Sequence, residues 1–502
     1  MLRIACLLLP LATLVAKGQQ PWAFSHGVPG QDVRATDLVW TPNGMVLTCD
    51  YADPPFHAPY TAVLIRLTTA GTLIDERVLA SAFSSVSPKA ILTGPDQSVH
   101  VIGNYSEHPD SVCGFFHYRC TPEGTVQDST FIPAPSALNS YVENATFLED
   151  GTIIIGGTLG YTSENAVEYF QLIKITELGE VITRYSVGMS GFNIQITRDV
   201  MPYRDGLLVS TENFPEIPGQ YHRFSSDLDL LGEWDGQAPH PDPLNPLDSI
   251  LKAAMTLIPT GANGYLVGGA FLVPNDQYSS AVYLADSAGT TLKAFVPHSA
   301  YYHDHSALFE TIAAIDSATF WFLSWENIHL VGTSIPYEPE EPDVLHVYKL
   351  DHELNVLCEF RLDGFSDSTH YFPTRIKTSP DGGFVILGAK KDMTDANATM
   401  QAWAQKFDAS DCIVGIEDHK SPMPAVIYPN PGSTGFEVVL SGQMPSVGQL
   451  TLHDARGVLV IEAMFSGSMG RVDCTDLPNG LYLYRITDRF GQLVATGRWV
   501  KQ

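Results

Sequence analysis

The sequence predicts an all-β chain: a seven-bladed β-propeller followed by a small antiparallel β-sandwich of Ig-like type. Three observations carry that prediction. A turn followed by an apolar strand ending in a small residue recurs seven times between Asn43 and Gly388. Each copy is followed by an alternating strand that carries a basic residue and runs into a second turn. Beyond residue 426 this period stops, and shorter alternating strands take over.

The first unit reads Asn43-Gly44 before MVLTC, Asp96-Gln97 before SVHVIG, Asp150-Gly151 before TIIIGG and Asp205-Gly206 before LLVST. Asn263-Gly264 before YLVGG, Ser317-Ala318-Thr319 before FWFLS and Asp381-Gly382-Gly383 before FVILG complete the set. The strands end at Thr48, Gly103, Gly156, Ser210, Gly268, Ser324 and Gly388, spaced by 55, 53, 54, 58, 56 and 64 residues. Small residues there would let neighbouring sheets approach near an axis. The second unit has its basic residue at Arg66, Arg119, Lys174, Arg223, Lys349 and Lys406, with Tyr283 in the fifth repeat. Its turn falls at Gly71, Gly124, Gly179, Asp229, Gly289, Asn355 and Asp411, give or take one residue. These residue types tolerate a left-handed backbone.

Asn-Gly and Asp-Gly before alternating apolar residues mark hairpins. Two hairpins per repeat give four antiparallel strands in about 55 residues, which describes a propeller blade. Solenoid repeats are usually shorter, and a string of sandwiches would not keep the period. The unit also resembles the propeller repeats of secreted bacterial proteins with a basic–x–Asp–x–x–Gly turn, a resemblance that spans residues 30–418 and carries no catalytic residue. Residues 22–30 precede the first blade and are expected to add an edge strand to the last, since ring closure removes exposed edges.

At 502 residues the chain exceeds one compact core. Its start reads as a signal peptide, 1–18: Arg3 supplies the charge, residues 4–15 the apolar core and Ala16-Lys17-Gly18 the cleavage site. That run is too short to span a membrane, and no later stretch is long enough. The propeller is assigned to 19–418, a polar, proline-containing linker to 419–425 and the C-terminal unit to 426–502. With 56 acidic and 28 basic residues, the chain repels nucleic acid and anionic lipid, so neither is an expected partner. No cofactor is expected. Calcium is the one ion the carboxylates bring to mind, yet no Asp-x-Asp-x-Asp-Gly loop is present. Six cysteines remain after Cys6, and Cys358 with Cys412, on outer strands of neighbouring repeats, are the pair the repeat brings nearest.

The connections that share one face of such a blade are the long ones, including 51–60, 104–111, 212–220 and 326–343, and binding residues tend to sit on long loops. That face is rich in aromatic rings. Its candidate binding residues are Tyr301, Tyr302, His303, His305, His329 and Tyr337, suited to stacking a sugar or peptide. His303 and His305 also have the spacing of two metal ligands, though closely spaced loop histidines are more often solvated. No catalytic residue is assigned. Gly-x-Ser-x-Gly, His-Glu-x-x-His, P-loop and Cys-x-x-Cys motifs are absent. Paired carboxylates for glycoside cleavage are recognised by their separation in space and stay open. Two functions follow: a non-enzymatic module binding a glycan or a surface protein, or a polysaccharide hydrolase or lyase with carboxylates on the long-loop face. A purely structural envelope role is the third.

The C-terminal unit reads as a sandwich with strands near 436–440, 449–453, 458–463 and 481–486. It opens on Tyr428-Pro429-Asn430-Pro431, continues through His453-Asp454-Ala455-Arg456-Gly457 and Asn479-Gly480-Leu481-Tyr482, and ends on Gly497-Arg498-Trp499-Val500-Lys501. These residues resemble the type A C-terminal sorting domain that Bacteroidota append to cargo of the type IX secretion system. Pro429, Asn430, Pro431, Gly457, Gly480, Tyr482, Gly497 and Lys501 carry the motif. The resemblance implies recognition by the outer-membrane translocon and cleavage by a sortase-like protease. It also implies that the mature protein is secreted or attached to the cell surface.

Overall fold

The structure is a computed structural model. It describes residues 21–502 except 55–56, 80–81, 108–113, 135–137, 162–168, 187–193, 215–219, 236–249, 261–263 and 274–276. Also outside it are 298–303, 307–308, 327–343, 365–367, 396, 410–424, 441–447, 455–458, 466–468 and 489–492. The chain divides into two compact units, with the boundary after Val414.

Every named element is a strand. In the first unit the described strands form seven antiparallel sheets, hereafter blades, spanning 32–78, 85–133, 138–186, 194–235, 250–295, 304–363 and 369–407. In the first five blades the strands pair in chain order, so each of these is two linked hairpins; in the sixth the inner strand is split into Asp304–Ser306 and Ile312–Ala314. The inner strands, such as Asp32–Thr41 and Ser85–Thr93, pack blade against blade, and Thr369–Thr378 of the last lies beside Asp32–Thr41 of the first. The ring is closed by Trp22–His26, which pairs antiparallel with Gln401–Phe407 as the outer strand of the last blade. The expected edge strand is therefore present. The expected signal peptide, 1–18, lies outside the described residues.

Second strands are buried on both faces, as IIIGG and FVILG predict, because each is covered by the blade before and the blade after. Gly156 shows why a small residue ends such a strand: a Cβ there would lie 2.3 Å from Val200 Cγ2 of the next blade.

In four repeats the basic residue clamps its own first turn. Arg119 meets Asp96 at 2.7 Å, Lys174 meets Asp150 at 3.2 Å, Arg223 meets Asp205 at 3.2 Å and Lys406 meets Asp381 at 2.7 Å. In the first repeat the turn residue is the neutral Asn43, and Arg66 pairs with Asp75 at 2.9 Å instead. In the fifth, Tyr283 makes a short hydroxyl contact with Tyr221 of the preceding blade.

The second turns are left-handed where glycine was expected, at Gly71, Gly124, Gly179 and Gly289. At two turns the expectation is corrected. The left-handed residues there are Leu228 and Leu354, one position before Asp229 and Asn355. Each leucine is buried, at 4% and 5% exposure, among side chains of the preceding blade. Burial of a leucine, worth about 2 kcal/mol, outweighs the roughly 1 kcal/mol cost of its backbone.

Cys358 is disulfide-bonded, and its expected partner Cys412 lies outside the described residues. The second unit packs a sheet of Ala425–Tyr428, Gly435–Leu440 and Met469–Asp473 on one of Leu459–Phe465, Gly448–Asp454, Gly480–Asp488 and Leu493–Lys501. Among the described residues no helix is long and apolar enough to cross a membrane.

Candidate functional site

Up-and-down pairing puts the connections between second and third strands at the same end of the ring as those between blades. From the strand bounds these include 107–113, 215–219, 236–249 and 327–343. The opposite end carries tight turns such as 42–43, 204–205 and 68–72. The candidate residues Tyr301, Tyr302, His303, His329 and Tyr337 lie outside the described residues. His305 is placed on the short strand Asp304–Ser306, in register with Trp325. Of the other rings at this end, Tyr51 and Tyr105 are buried: Tyr51 OH is 2.7 Å from His26 Nε2, and Tyr105 packs on Phe83 and Phe131. Among the described residues no cluster of three histidine, cysteine or acidic side chains is placed to hold a metal ion.

The axis itself carries a site that the sequence reading missed. In six blades the inner strand holds an extra residue, at Thr36, Lys89, Glu143, Arg198, Met255 and Thr374, and the fifth blade has a second at Lys252. Such a bulge re-aims the residues around it. The next residue in each, together with Glu310, gives the ring Asp37, Ala90, Asn144, Asp199, Thr256, Glu310 and Arg375. Three of these accept from a backbone amide of the succeeding blade. Asp37 accepts from Leu38 N at 2.8 Å and from Ile91 N of the second blade at 3.1 Å. Asp199 accepts from Val200 N at 2.8 Å, from Leu257 N of the fifth blade at 2.6 Å and from Asn144 Nδ2. Thr256 Oγ1 accepts from Thr311 N at 2.7 Å.

All of these except Ala90 line a cavity of about 330 Å³, together with Lys377 and Thr378. Its walls lie between the bulges and the tight turns, so it belongs to the tight-turn half of the axis. Buried Arg375 donates to Thr36 O at 3.0 Å, Lys89 O at 2.8 Å and Glu310 Oε2 at 3.3 Å. Lys377 Nζ lies 3.2 Å from Asp37 and 2.5 Å from Glu310. Both cations are thus committed to Asp37 and Glu310. Asp199, 5% exposed, has no cation within ion-pair distance among the described residues, and burial raises its pKa to about 6. Toward the other end, Arg34 pairs with Asp50 at 2.8 Å and Arg198 Nε with Glu212 at 2.7 Å, while burial lowers the pKa of Lys89.

A signal for the ring does exist in the sequence. Asp37, Ala90, Asn144, Asp199, Glu310 and Arg375 each stand six residues before the turn residue Asn43, Asp96, Asp150, Asp205, Asp316 or Asp381. Residue type varies from repeat to repeat, so a search for recurring residues passes over it.

In the second unit the motif residues form one seam. The segment from Tyr428 runs beside the last strand through two cis peptide bonds, before Pro429 and before Pro431. Asn430 Nδ2 donates to Arg498 O at 2.9 Å, and its Oδ1 accepts from Val500 N at 3.0 Å. Trp499 Nε1 donates to Pro429 O at 3.1 Å. Tyr482 OH donates to Pro478 O at 2.7 Å. Gly497 leaves room for the Tyr484 ring, whose nearest atom would lie 2.3 Å from a Cβ. Lys501, 7% exposed, donates to the carbonyls of Cys474, Thr475 and Leu477 at 2.7, 2.7 and 2.6 Å. Gly480 meets no tight contact, and Gly457 lies outside the described residues.

Residues 426–501 match the family model of the secretion system C-terminal sorting domain. No curated protein matches the chain. Among solved structures, a PL25 ulvan lyase is similar at 10% identity and TM-score 0.44, over 78% of this chain and 98% of its own. The polysaccharide lyase Uly1 is similar at 9% identity and TM-score 0.44, over 74% and 90%. Prolyl oligopeptidase B from Galerina marginata is similar at 11% identity and TM-score 0.39, over 72% of this chain and 47% of its own. The chain thus spans about half the length of that peptidase. Likenesses this distant carry no argument about activity.

Proposed function

We propose, for a chain that ends in a secretion-system C-terminal sorting domain, that the propeller is a non-enzymatic module binding a glycan or another surface protein. The sorting domain makes the chain cargo of the type IX secretion machinery, bound for the cell surface or the medium. Cleavage by a sortase-like protease and an origin in Bacteroidota belong to the same proposal. One observation carries the binding reading: the long connections gather at one end of a closed scaffold whose other end is made of tight turns. A rim of that kind offers variable side chains on a rigid base.

A second reading, a polysaccharide hydrolase or lyase, draws on the carboxylates of Asp50 and Glu212, which stand in the same half of the axis as the long connections. Screening the secreted protein on a glycan array and against a polysaccharide panel separates the two. Binding without release of reducing or unsaturated ends supports the module, whereas turnover abolished by Asp50→Asn or Glu212→Gln supports the enzyme. Binding lost in a Tyr301→Ala/Tyr302→Ala variant, with Tm held within a few degrees, would assign the rim. Binding untouched by that variant but lost on changes at the tight-turn end would reject it.

A further inference from the structure

We propose that the axial cavity at the tight-turn end is a second binding site, for a small ligand that carries a primary ammonium group. The argument rests on a charge count inside a built cavity. Three carboxylates, Asp37, Asp199 and Glu310, face two cations, Arg375 and Lys377, around about 330 Å³. The two cations serve Asp37 and Glu310. Asp199 stands across the axis on the fourth blade, held by two backbone amides and the Asn144 amide, with no cation at ion-pair distance among the described residues.

Buried carboxylates are ordinarily paired. Asp37, which occupies the equivalent position and accepts from the equivalent backbone amides, has its pair; Asp199 has none among the described residues. The other charges near it do not fill that role: Glu310 repels it, Arg375 is spent on Glu310 and backbone carbonyls, and Arg198 is bound to Glu212. An ammonium group seated beside Asp199 would supply the missing charge. Thr256 and Thr378 are polar neighbours for hydroxyls on the same ligand. The volume suits a single sugar ring, so an amino sugar with a free amine fits the class. A divalent ion fits less well, because Asp37 and Glu310 already face ammonium and guanidinium groups.

The site is independent of any partner at the long-loop end, so either idea can fail alone. The test is calorimetric titration of the full chain with glucosamine and, as control, glucose. At pH 7 glucosamine binds and glucose does not. Asp199→Asn, which keeps an acceptor oxygen but removes the charge, weakens glucosamine about tenfold. Lys377→Met removes a competing cation and tightens it severalfold, an outcome that misfolding cannot mimic. Binding also falls below about pH 6, where the Asp199 carboxyl is protonated. Equal affinity for the two sugars, no binding of glucosamine, or indifference to both substitutions would overturn the assignment.

Discussion

The two units of this chain tie their strands down in opposite ways. The ring uses repetition. Its basic-to-acidic turn clamp recurs in four blades, at Arg119, Lys174, Arg223 and Lys406, and each copy is partly solvated on at least one partner. The sorting domain uses a single-copy lock, in which Lys501 inserts a buried ammonium among three carbonyls. Charge divides the same way. Six of the 56 acidic and six of the 28 basic residues lie in 426–502, so the formal charge of −28 resides wholly in residues 1–425. A repeated scaffold can lose one clamp and stand on the others; a unit with one lock cannot.

The largest effect should therefore come from Lys501→Met. It leaves three carbonyls without their charged donor, and we expect a loss of about 3–5 kcal/mol. Calorimetry of the intact chain should show the sorting-domain transition falling while the ring's holds. The matched change in the ring, Arg119→Met, removes one part-exposed pair and should cost about 1 kcal/mol or less. Similar losses from the two would break the contrast.

Acid should strike the ring first. His100 and His117 form a buried chain, with Ser98 Oγ 2.7 Å from His100 Nε2 and His100 Nδ1 2.9 Å from His117 Nε2. Burial is the main cause that lowers them to about 4 and about 3, and His222 to about 4. An unfolded histidine binds its proton near pH 6.5, so the unfolded ring holds more protons between pH 6.5 and these values. Stability is complete above pH 6.5 and is lost as pH falls through that window, by on the order of 3 kcal/mol per histidine. Asp199, raised to about 6, runs the other way: its contribution is lost as pH rises. Asp199→Asn should steepen the acid limb, and a His100→Gln/His117→Gln variant should flatten it. Urea midpoints measured from pH 7 to 4 report both slopes, and a limb unchanged in both variants would remove the histidines as its cause.

Smaller effects sharpen the comparison within the ring. Gly124 and Gly179 are both left-handed, yet a Cβ on Gly124 has its nearest atom 3.5 Å away, whereas one on Gly179 meets Thr130 at 2.7 Å and His117 Nδ1 at 2.9 Å. Gly124→Asn should cost less than about 1 kcal/mol, and Gly179→Asn about 2 kcal/mol. Equal melting temperatures for the two would show that packing against the previous blade is loose.

What could be read in advance follows from the same division. The sorting domain was legible because motif residues such as Asn430 and Gly497 have one job each: Asn430 brackets the last strand and Gly497 yields to a tyrosine ring. The blades were legible through their turns, since Asp-Gly signals act locally. The left-handed Leu228 and Leu354 were not, because the gain that sustains them is burial in the preceding blade, which no local rule contains. The axial cavity was hidden for a related reason. Its ring positions share a place and not a residue type, and the bulges that aim them leave no mark on hydrophobic periodicity.

Trp22–His26 pairs with residues more than 370 positions later, Trp22 lying opposite Lys406. Synthesis proceeds from the N-terminus, so this strand waits, unmatched, until almost the whole ring exists. Contacts of such separation form slowly and late. In the interval the last blade has an open edge. The ring is thus finished by its first-made strand, and any step that acts on an unfinished chain, whether a holding chaperone or a protease, has the interval before that strand docks in which to work.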